Sequence, residues 1–408
     1  MNPSAPLKNI FILITMSVLI SGCQSDKLER ISYNSEIVGE ERDFFLYLPN
    51  GYETSDKNWP VLMFLHGNGE RGNGKDELDF VKIHGPLYEA WIQKRDLPFI
   101  IIVPQLHMFG MDNESAPYLA NRDTSIIPKR LAEGVPPRSA VSIPETPMDG
   151  SVSQHPEYLT LPNGWYRVEN DLIGMIDHVL ENFRADSNRV YLSGLSYGGF
   201  GAWHLASTHP EKFAALNPVV GWGHPDLMEP IAKQRIPVWA FAGGGDPVVE
   251  STYFFAGLNR LKDLGHKEVQ FTIHEDMGHD TWKRVYAGED IYSWLLSHDK
   301  ISNEKRALHG SWENENGQKF VFNSDGTAEW IKGDETFSIS YDFNPAEKPA
   351  HITLEGFETG SLAGKSLYGI AEFDEKRNSF TFYFESGDNE SVRPLEFNPD
   401  QSQNFVRL

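Results

Sequence analysis

One cysteine, Cys23, serves a chain of 408 residues. No internal disulfide can form, and a thiolate-ligated zinc site has no ligands. Basic residues are scarce as well: 36 Lys and Arg stand against 58 Asp and Glu, a formal charge of −22. That balance excludes a polyanion such as nucleic acid as the main partner. There is no His-Glu-x-x-His for a catalytic metal and no Gly-x-Gly-x-x-Gly opening a helix after the first strand. The glycine turn at His66 to Gly72 is not followed by Gly-Lys-Ser/Thr. Metal, dinucleotide and nucleotide phosphate therefore lack their usual cradles, and no cofactor is expected. Overall, 40% hydrophobic and 23% charged residues make an ordinary globular balance. A chain of this length is expected to divide into about two domains.

The N-terminus holds the one apolar run outside that pattern. Lys8 precedes Ile10 to Ile20, and small residues lead to Cys23. The run is too short to span a bilayer comfortably and has the layout of a secretory signal. Leu19 to Cys23 (LISGC) resembles a bacterial lipobox. That resemblance implies cleavage of residues 1–22 and acylation of Cys23, which would anchor the protein to the cell envelope without a spanning segment. Gln24, rather than Asp, follows the cysteine and favours the outer membrane. An ordinary signal peptide with a chance cysteine is the alternative. Residues 23–30 read as a polar tether.

From residue 31 to about 300, continuous apolar strands alternate with helical periods. PVLMFLHG (Pro60 to Gly67), LPFIIIVPQ (Leu97 to Gln105), RVYLSG (Arg189 to Gly194), IPVWAFAGGGD (Ile236 to Asp246) and EVQFTIHE (Glu268 to Glu275) are strands. Val168 to Phe183, Phe200 to Pro210 and Ser251 to Gly265 have helical periodicity. Such alternation predicts an α/β domain, a mostly parallel sheet with helices on both faces. Residues 106–162 break the rhythm with prolines, serines and charges, too long for an ordinary loop and placed as an insert that could cap a site. After His298 the texture changes to short alternating strands around turn residues, with no helix. Residues 305–408 are expected to form a separate antiparallel barrel or sandwich.

Within this frame, Gly194-Leu195-Ser196-Tyr197-Gly198 matches Gly-x-Ser-x-Gly between a buried strand and a helix. Glycines on both flanks allow a strained strand-to-helix turn with the serine hydroxyl exposed above the sheet. A serine so placed needs a base and an acid, which in sheets of this kind follow in the order acid, then His. Asp246 lies just past one strand and His279 just past the next, where α/β sites assemble. His279 is the candidate base for Ser196, and Asp246 the residue that orients it. His274, with Glu250 or Asp276, are the nearest substitutes. Developing negative charge would be met by the backbone N–H of Tyr197 and by a second N–H from the glycine turn, at Asn68 or at Gly69.

Together FLHGNGERG, VPQ, GLSYGGFGAWHLASTHPEKFAAL, IPVWAFAGGGDPVV and GHDTWKRVYAGEDIYSWLLSH resemble the α/β-hydrolase superfamily. More specifically they resemble bacterial esterases of the polyhydroxybutyrate-depolymerase and feruloyl-esterase type, grouped with predicted peptidases and phospholipase/carboxylesterases. The resemblance implies a serine hydrolase acting on carboxylic esters, often acyl groups on polysaccharides. The insert at 106–162 departs from it. The C-terminal part resembles a small lipocalin-like domain through LHGSWENENGQKFVFNSDGTAEW and VRPLEF. Two alternatives stand beside the esterase: a serine peptidase with the same three residues, and a non-catalytic carbohydrate- or ligand-binding protein on a hydrolase fold.

Overall fold

The computed structural model describes residues 26–112, 117–136, 145–147, 150, 164–374 and 377–408. The expected leader and Cys23 lie outside them. The described residues form two units, an eight-stranded sheet flanked by helices and a closed eight-stranded barrel.

The sheet contains β1 (Lys27–Asn34), β2 (Glu41–Leu48), β3 (Trp59–Leu65), β4 (Ile100–Val103), β5 (Ala185–Leu195), β6 (Ala215–Val219), β7 (Val238–Gly243) and β8 (Val269–His274). Their order is β1-β2-β4-β3-β5-β6-β7-β8. Only β2 runs against the rest. Every residue of β3 is buried, which explains why its sequence is continuously apolar. Val61, Met63 and Leu65 face one layer; Leu62 and Phe64 face the other. Each such side chain contributes roughly 1.5–3 kcal/mol on burial, more than a typical exposed ion pair at about 0–1 kcal/mol.

One face is covered by α1 (Glu169–Asn182), α2 (Tyr197–Thr208), α3 (Met228–Gln234) and α4 (Phe254–Asp263). Leu172, Ile176 and Val179 of α1 meet Ala202 and Leu205 of α2 and Leu258 of α4 in one cluster. The opposite face is covered by α5 (Trp282–Ala287), α6 (Asp290–Leu296) and the segment around Leu78 to Ala90.

Two boundaries differ from expectation. Residues 27–30 are not tether but the start of β1, paired from Lys27↔Leu48 to Arg30↔Phe45. They read as polar because β1 is an edge strand with no fully buried residue. The helix α7 (Lys300–Leu308) runs through the expected boundary at residues 300–305. Asp299 caps it by accepting the Ser302 N–H at 2.7 Å. Asn303 reaches back to the Ala214 carbonyl (2.8 Å), while the Leu308 carbonyl accepts the Trp312 indole N–H (2.7 Å). Its buried face consists of Asn303, Ala307 and Leu308, so the run KISNEKRAL brings few large apolar residues to mark it as a helix.

The barrel closes in the order β10-β11-β12-β13-β14-β15-β16-β9. Its strands are β9 (Gly310–Asn314), β10 (Lys319–Phe322), β11 (Thr327–Lys332), β12 (Glu335–Asn344), β13 (Ala350–Glu355), β14 (Ser366–Phe373), β15 (Ser379–Gly387) and β16 (Gln403–Arg407). Closure removes the free edges that a sandwich would keep. Trp312, Phe320, Phe322, Trp330, Phe380, Phe382 and Phe405 pack together inside, so the interior is a core of stacked rings.

The described parts of the insert lie on the α/β unit. The Leu131 and Val135 N–H groups donate to Ile92 and Gln93 carbonyls, both at 2.9 Å. Thr146 covers the free edge of β8, donating its N–H to the Phe271 carbonyl (2.8 Å) and accepting the Ile273 N–H on its hydroxyl (3.0 Å).

Candidate active site

β5 ends at Leu195, α2 begins at Tyr197, and Ser196 alone makes the corner with φ 50° and ψ −114°. A side chain is rarely held there without surrounding structure to impose it. The flanking glycines show what imposes it. A Cβ on Gly198 would lie 1.8 Å from the Leu65 carbonyl oxygen, and one on Gly194 would lie 2.1 Å from the Gly198 oxygen. Helix and strand approach so closely that neither position admits a side chain. The Ser196 N–H is held by the Val219 carbonyl at 2.9 Å.

Three side chains meet above the sheet. The Ser196 hydroxyl lies 3.0 Å from His279 Nε2, and His279 Nδ1 lies 2.8 Å from Asp246 Oδ2. Asp246 Oδ1 accepts the backbone N–H groups of Val248 (2.8 Å) and Val249 (3.0 Å). The Asp246 carboxylate is fully buried. Burial pushes its pKa up, but the hydrogen bonds from His279, Val249 and Val248 outweigh that and hold it below the usual carboxylate range. An ionised Asp246 must accept from His279, so the imidazole proton sits on Nδ1 and Nε2 is free to accept the serine proton. The Trp282 ring stands edge-on to His279, with centroids 5.2 Å apart.

The substitutes weighed from sequence lie elsewhere. His274 is buried and stacked on Phe241, its pKa lowered to about 4 chiefly by burial. Asp276 makes a two-pronged pair with Arg284, both distances 2.7 Å. Glu250 is exposed. Among the described residues, no three His, Cys, Asp or Glu side chains gather as metal ligands would.

The glycine turn follows β3. His66 Nδ1 lies 2.6 Å from the Gly67 carbonyl, and Nε2 accepts the Leu106 N–H at 2.9 Å. The second contact leaves the ring proton on Nδ1, so His66 donates to Gly67. Burial drops its pKa to about 3, so the ring stays neutral. A trans peptide points its C=O and N–H in opposite directions. Fixing the Gly67 carbonyl therefore fixes the Asn68 N–H on the opposite side. Among the described residues, none accepts that N–H. The Asn68 side chain is engaged separately, accepting from Arg71 Nε (2.5 Å) and donating to the Tyr118 hydroxyl (2.6 Å). The Gly69 carbonyl is held from outside by Arg122 at 3.3 Å. Arg71 lies over the Tyr197 ring, 5.1 Å from its centroid.

Sequence reasoning passed over His66, Glu70, Arg71 and Arg122. The signal for the first three was a charge pair and an imidazole in a glycine turn directly after a wholly apolar strand. Glu70 is buried, which pushes its carboxyl up to about 7 against the pull of the Glu70 and Gly67 N–H groups. Its ordinary value is 4.5. Between those values the folded chain keeps a proton that the unfolded chain has lost, so this group makes stability fall as pH rises from about 4.5 to about 7. Glu70→Gln removes the effect. Thermal melts should show the wild type losing of the order of 2 kcal/mol relative to the variant between pH 5.5 and pH 8. A difference that is flat with pH would contradict this.

Comparisons with known proteins fit the geometry. The family model described as Prolyl oligopeptidase family matches residues 166–229, the stretch that carries Ser196. The chain is 31% identical over 93 residues to a bifunctional acetylxylan esterase/xylanase of Neocallimastix patriciarum, covering 22% of this chain and 13% of that protein. It is 32% identical over 75 residues to acetylxylan esterase A of Emericella nidulans, covering 18% of this chain and 25% of that protein. The chain thus spans a quarter or less of the curated relatives it matches. Among solved structures, a thermostable esterase is similar at 22% identity and a TM-score of 0.47, covering 67% of this chain and 63% of that one. A ferulic acid esterase of Anaeromyces mucronatus follows at 16% identity and a TM-score of 0.41, covering 68% and 92%. By its strand order and its serine corner, the chain has an α/β-hydrolase fold followed by a closed, lipocalin-like antiparallel barrel.

Proposed function

We propose that the chain is an exported, lipid-anchored serine hydrolase that cleaves carboxylic esters. The observation that carries this reading is the continuous line from Asp246 through His279 to Ser196, with the serine on a strained corner. Ser196 attacks the ester carbonyl as His279 takes its proton on Nε2. Asp246 holds the ring and stabilises its positive charge. The N–H groups of Tyr197 and Asn68 receive the oxyanion. His279 then protonates the departing alcohol, leaving an acyl group on Ser196. Water, activated by His279 in turn, releases the acid and restores the serine.

The similarity to an acetylxylan esterase/xylanase and to an acetylxylan esterase favours acyl groups on polysaccharide as substrate. The LISGC stretch favours an acylated Cys23 and attachment to the bacterial outer membrane. A peptidase reading draws on the prolyl oligopeptidase match, which covers the serine corner that both activities share. One experiment reads both halves of the proposal. Membrane and soluble fractions of cells making the full chain are assayed on acetylated xylan, feruloylated arabinoxylan, p-nitrophenyl acetate and a panel of peptide p-nitroanilides. Ester turnover should reside in the membrane fraction and move to the soluble fraction in Cys23→Ser. Peptide cleavage without ester turnover would overturn the esterase reading, and activity unmoved by Cys23→Ser would overturn the anchor.

A further inference from the structure

Loop 66–72 is held from two sides. From the α/β unit itself, His66 holds the Gly67 carbonyl, Gln105 Nε2 the Glu70 carbonyl (2.9 Å) and Arg42 Nη2 the Gly72 carbonyl (2.9 Å). Trp165 Nε1 donates to the His66 carbonyl at 3.2 Å. Two further carbonyls, of Gly69 and Arg71, are both taken by Arg122 of the insert through one nitrogen. Its other terminal nitrogen pairs with Glu77 Oε1 at 2.7 Å. The guanidinium is almost fully buried and lies over the Phe80 ring, 4.3 Å from the centroid. Two further threads come from the same insert: the Tyr118 hydroxyl takes the Asn68 amide, and the His107 carbonyl accepts Arg71 Nη1 at 2.8 Å.

This arrangement is more than packing. Three of the seven loop residues are glycine, whose backbones adopt many conformations when released. The Asn68 N–H has its direction from the peptide between Gly67 and Asn68. Just downstream of that peptide, the Gly69 and Arg71 carbonyls are held by Arg122. The arginine fork reaches two carbonyls with one nitrogen and a carboxylate with the other, a spread that the single nitrogen of a lysine does not have.

We propose that the described segment 117–122 of the insert straps this loop, with Arg122 as its buckle: Arg122 is a positioning residue that keeps the Asn68 N–H aimed at the carbonyl oxygen of a substrate on Ser196. The catalytic half of this statement rests on the esterase reading; the holding of the loop does not. The strap would therefore act on the rate of bond-making, whatever else the insert does for substrate choice.

The test uses the full chain with Arg122→Ala and Arg122→Lys. Hydrogen–deuterium exchange is read at residues 67–72, with β5 as the internal reference. Kinetics are read on p-nitrophenyl acetate. Arg122→Ala should speed exchange at 67–72 and leave β5 unchanged. Its kcat should fall about ten- to a hundredfold with KM within about threefold, as misplacing a single donor does. Arg122→Lys should recover part of the loss. Unchanged loop exchange would overturn the strap, and so would a loss confined to KM or a kcat that does not move. Wild-type protein without any ester turnover would overturn the esterase reading instead, and the exchange result would still decide whether Arg122 holds the loop. If Arg122→Ala does not fold, the lysine variant carries the same comparison.

Discussion

Ser196→Ala should lower ester hydrolysis by about five to six orders of magnitude while leaving the fold in place. The size follows from what remains. Without the hydroxyl there is no acyl-enzyme, and only binding and the N–H donors can assist attack by water. The stability cost is small for two reasons. The corner already holds a residue with a Cβ at φ 50°, so alanine meets the same backbone strain as serine. The substitution also deletes one hydrogen bond of 3.0 Å at a partly exposed ring, worth about 1 kcal/mol. Turnover of p-nitrophenyl acetate, labelling by a fluorophosphonate probe and a thermal melt together check this. A variant that keeps activity within about a hundredfold of wild type would remove Ser196 from the reaction.

Asp246→Asn should cost about four orders of magnitude in kcat at neutral pH, although the side chain has the same shape. The reason lies in the other oxygen. Oδ1 already accepts two backbone N–H groups, from Val248 and Val249. An asparagine must place its carbonyl oxygen there, because turning its NH₂ toward two donors would leave all of them unpaired. Its NH₂ then faces His279 Nδ1 and donates to it. The ring proton is driven to Nε2, where it blocks acceptance of the serine proton. KM should change little, since the carboxylate is buried behind the ring. Steady-state kinetics read this directly, and a loss below about tenfold would show that Asp246 does not set the tautomer.

Much of this was legible before the structure was known, and the parts that were not have physical causes. The parallel sheet could be read because β3, β4 and the second half of β5 are buried on both faces, which leaves continuous apolar runs. Ser196, Asp246 and His279 each stand just past the end of such a run, so their meeting was an inference from topology. The edge strand β1 was missed because half-exposed positions look like a tether. The strands β9 and β16 give little signal of their own. GSWEN and QNFVR each bring a single large apolar side chain, Trp312 or Phe405, to the barrel core. Arg122 was invisible for a different reason. Its partners are backbone carbonyls fifty residues away, and no local pattern announces a long-range contact to main chain. His66 hid in plain view, since a histidine before a glycine turn has many ordinary uses.

The helix α7 has a practical consequence for anyone dissecting the protein. It is a shared beam: its Asn303 amide seals the Ala214 carbonyl at the head of β6, and its last turn, through Leu308, closes the base of the barrel. A cut before Lys300 strips the sheet of that seal and leaves the Ala214 carbonyl without the Asn303 amide. A cut after Leu308 leaves Ala307 and Leu308 bare on the sheet fragment and takes from Trp312 the oxygen its indole needs. No scissors position separates the two units cleanly. The smallest faithful unit for expression is both halves together, and a barrel swapped in from another source would have to bring its own α7.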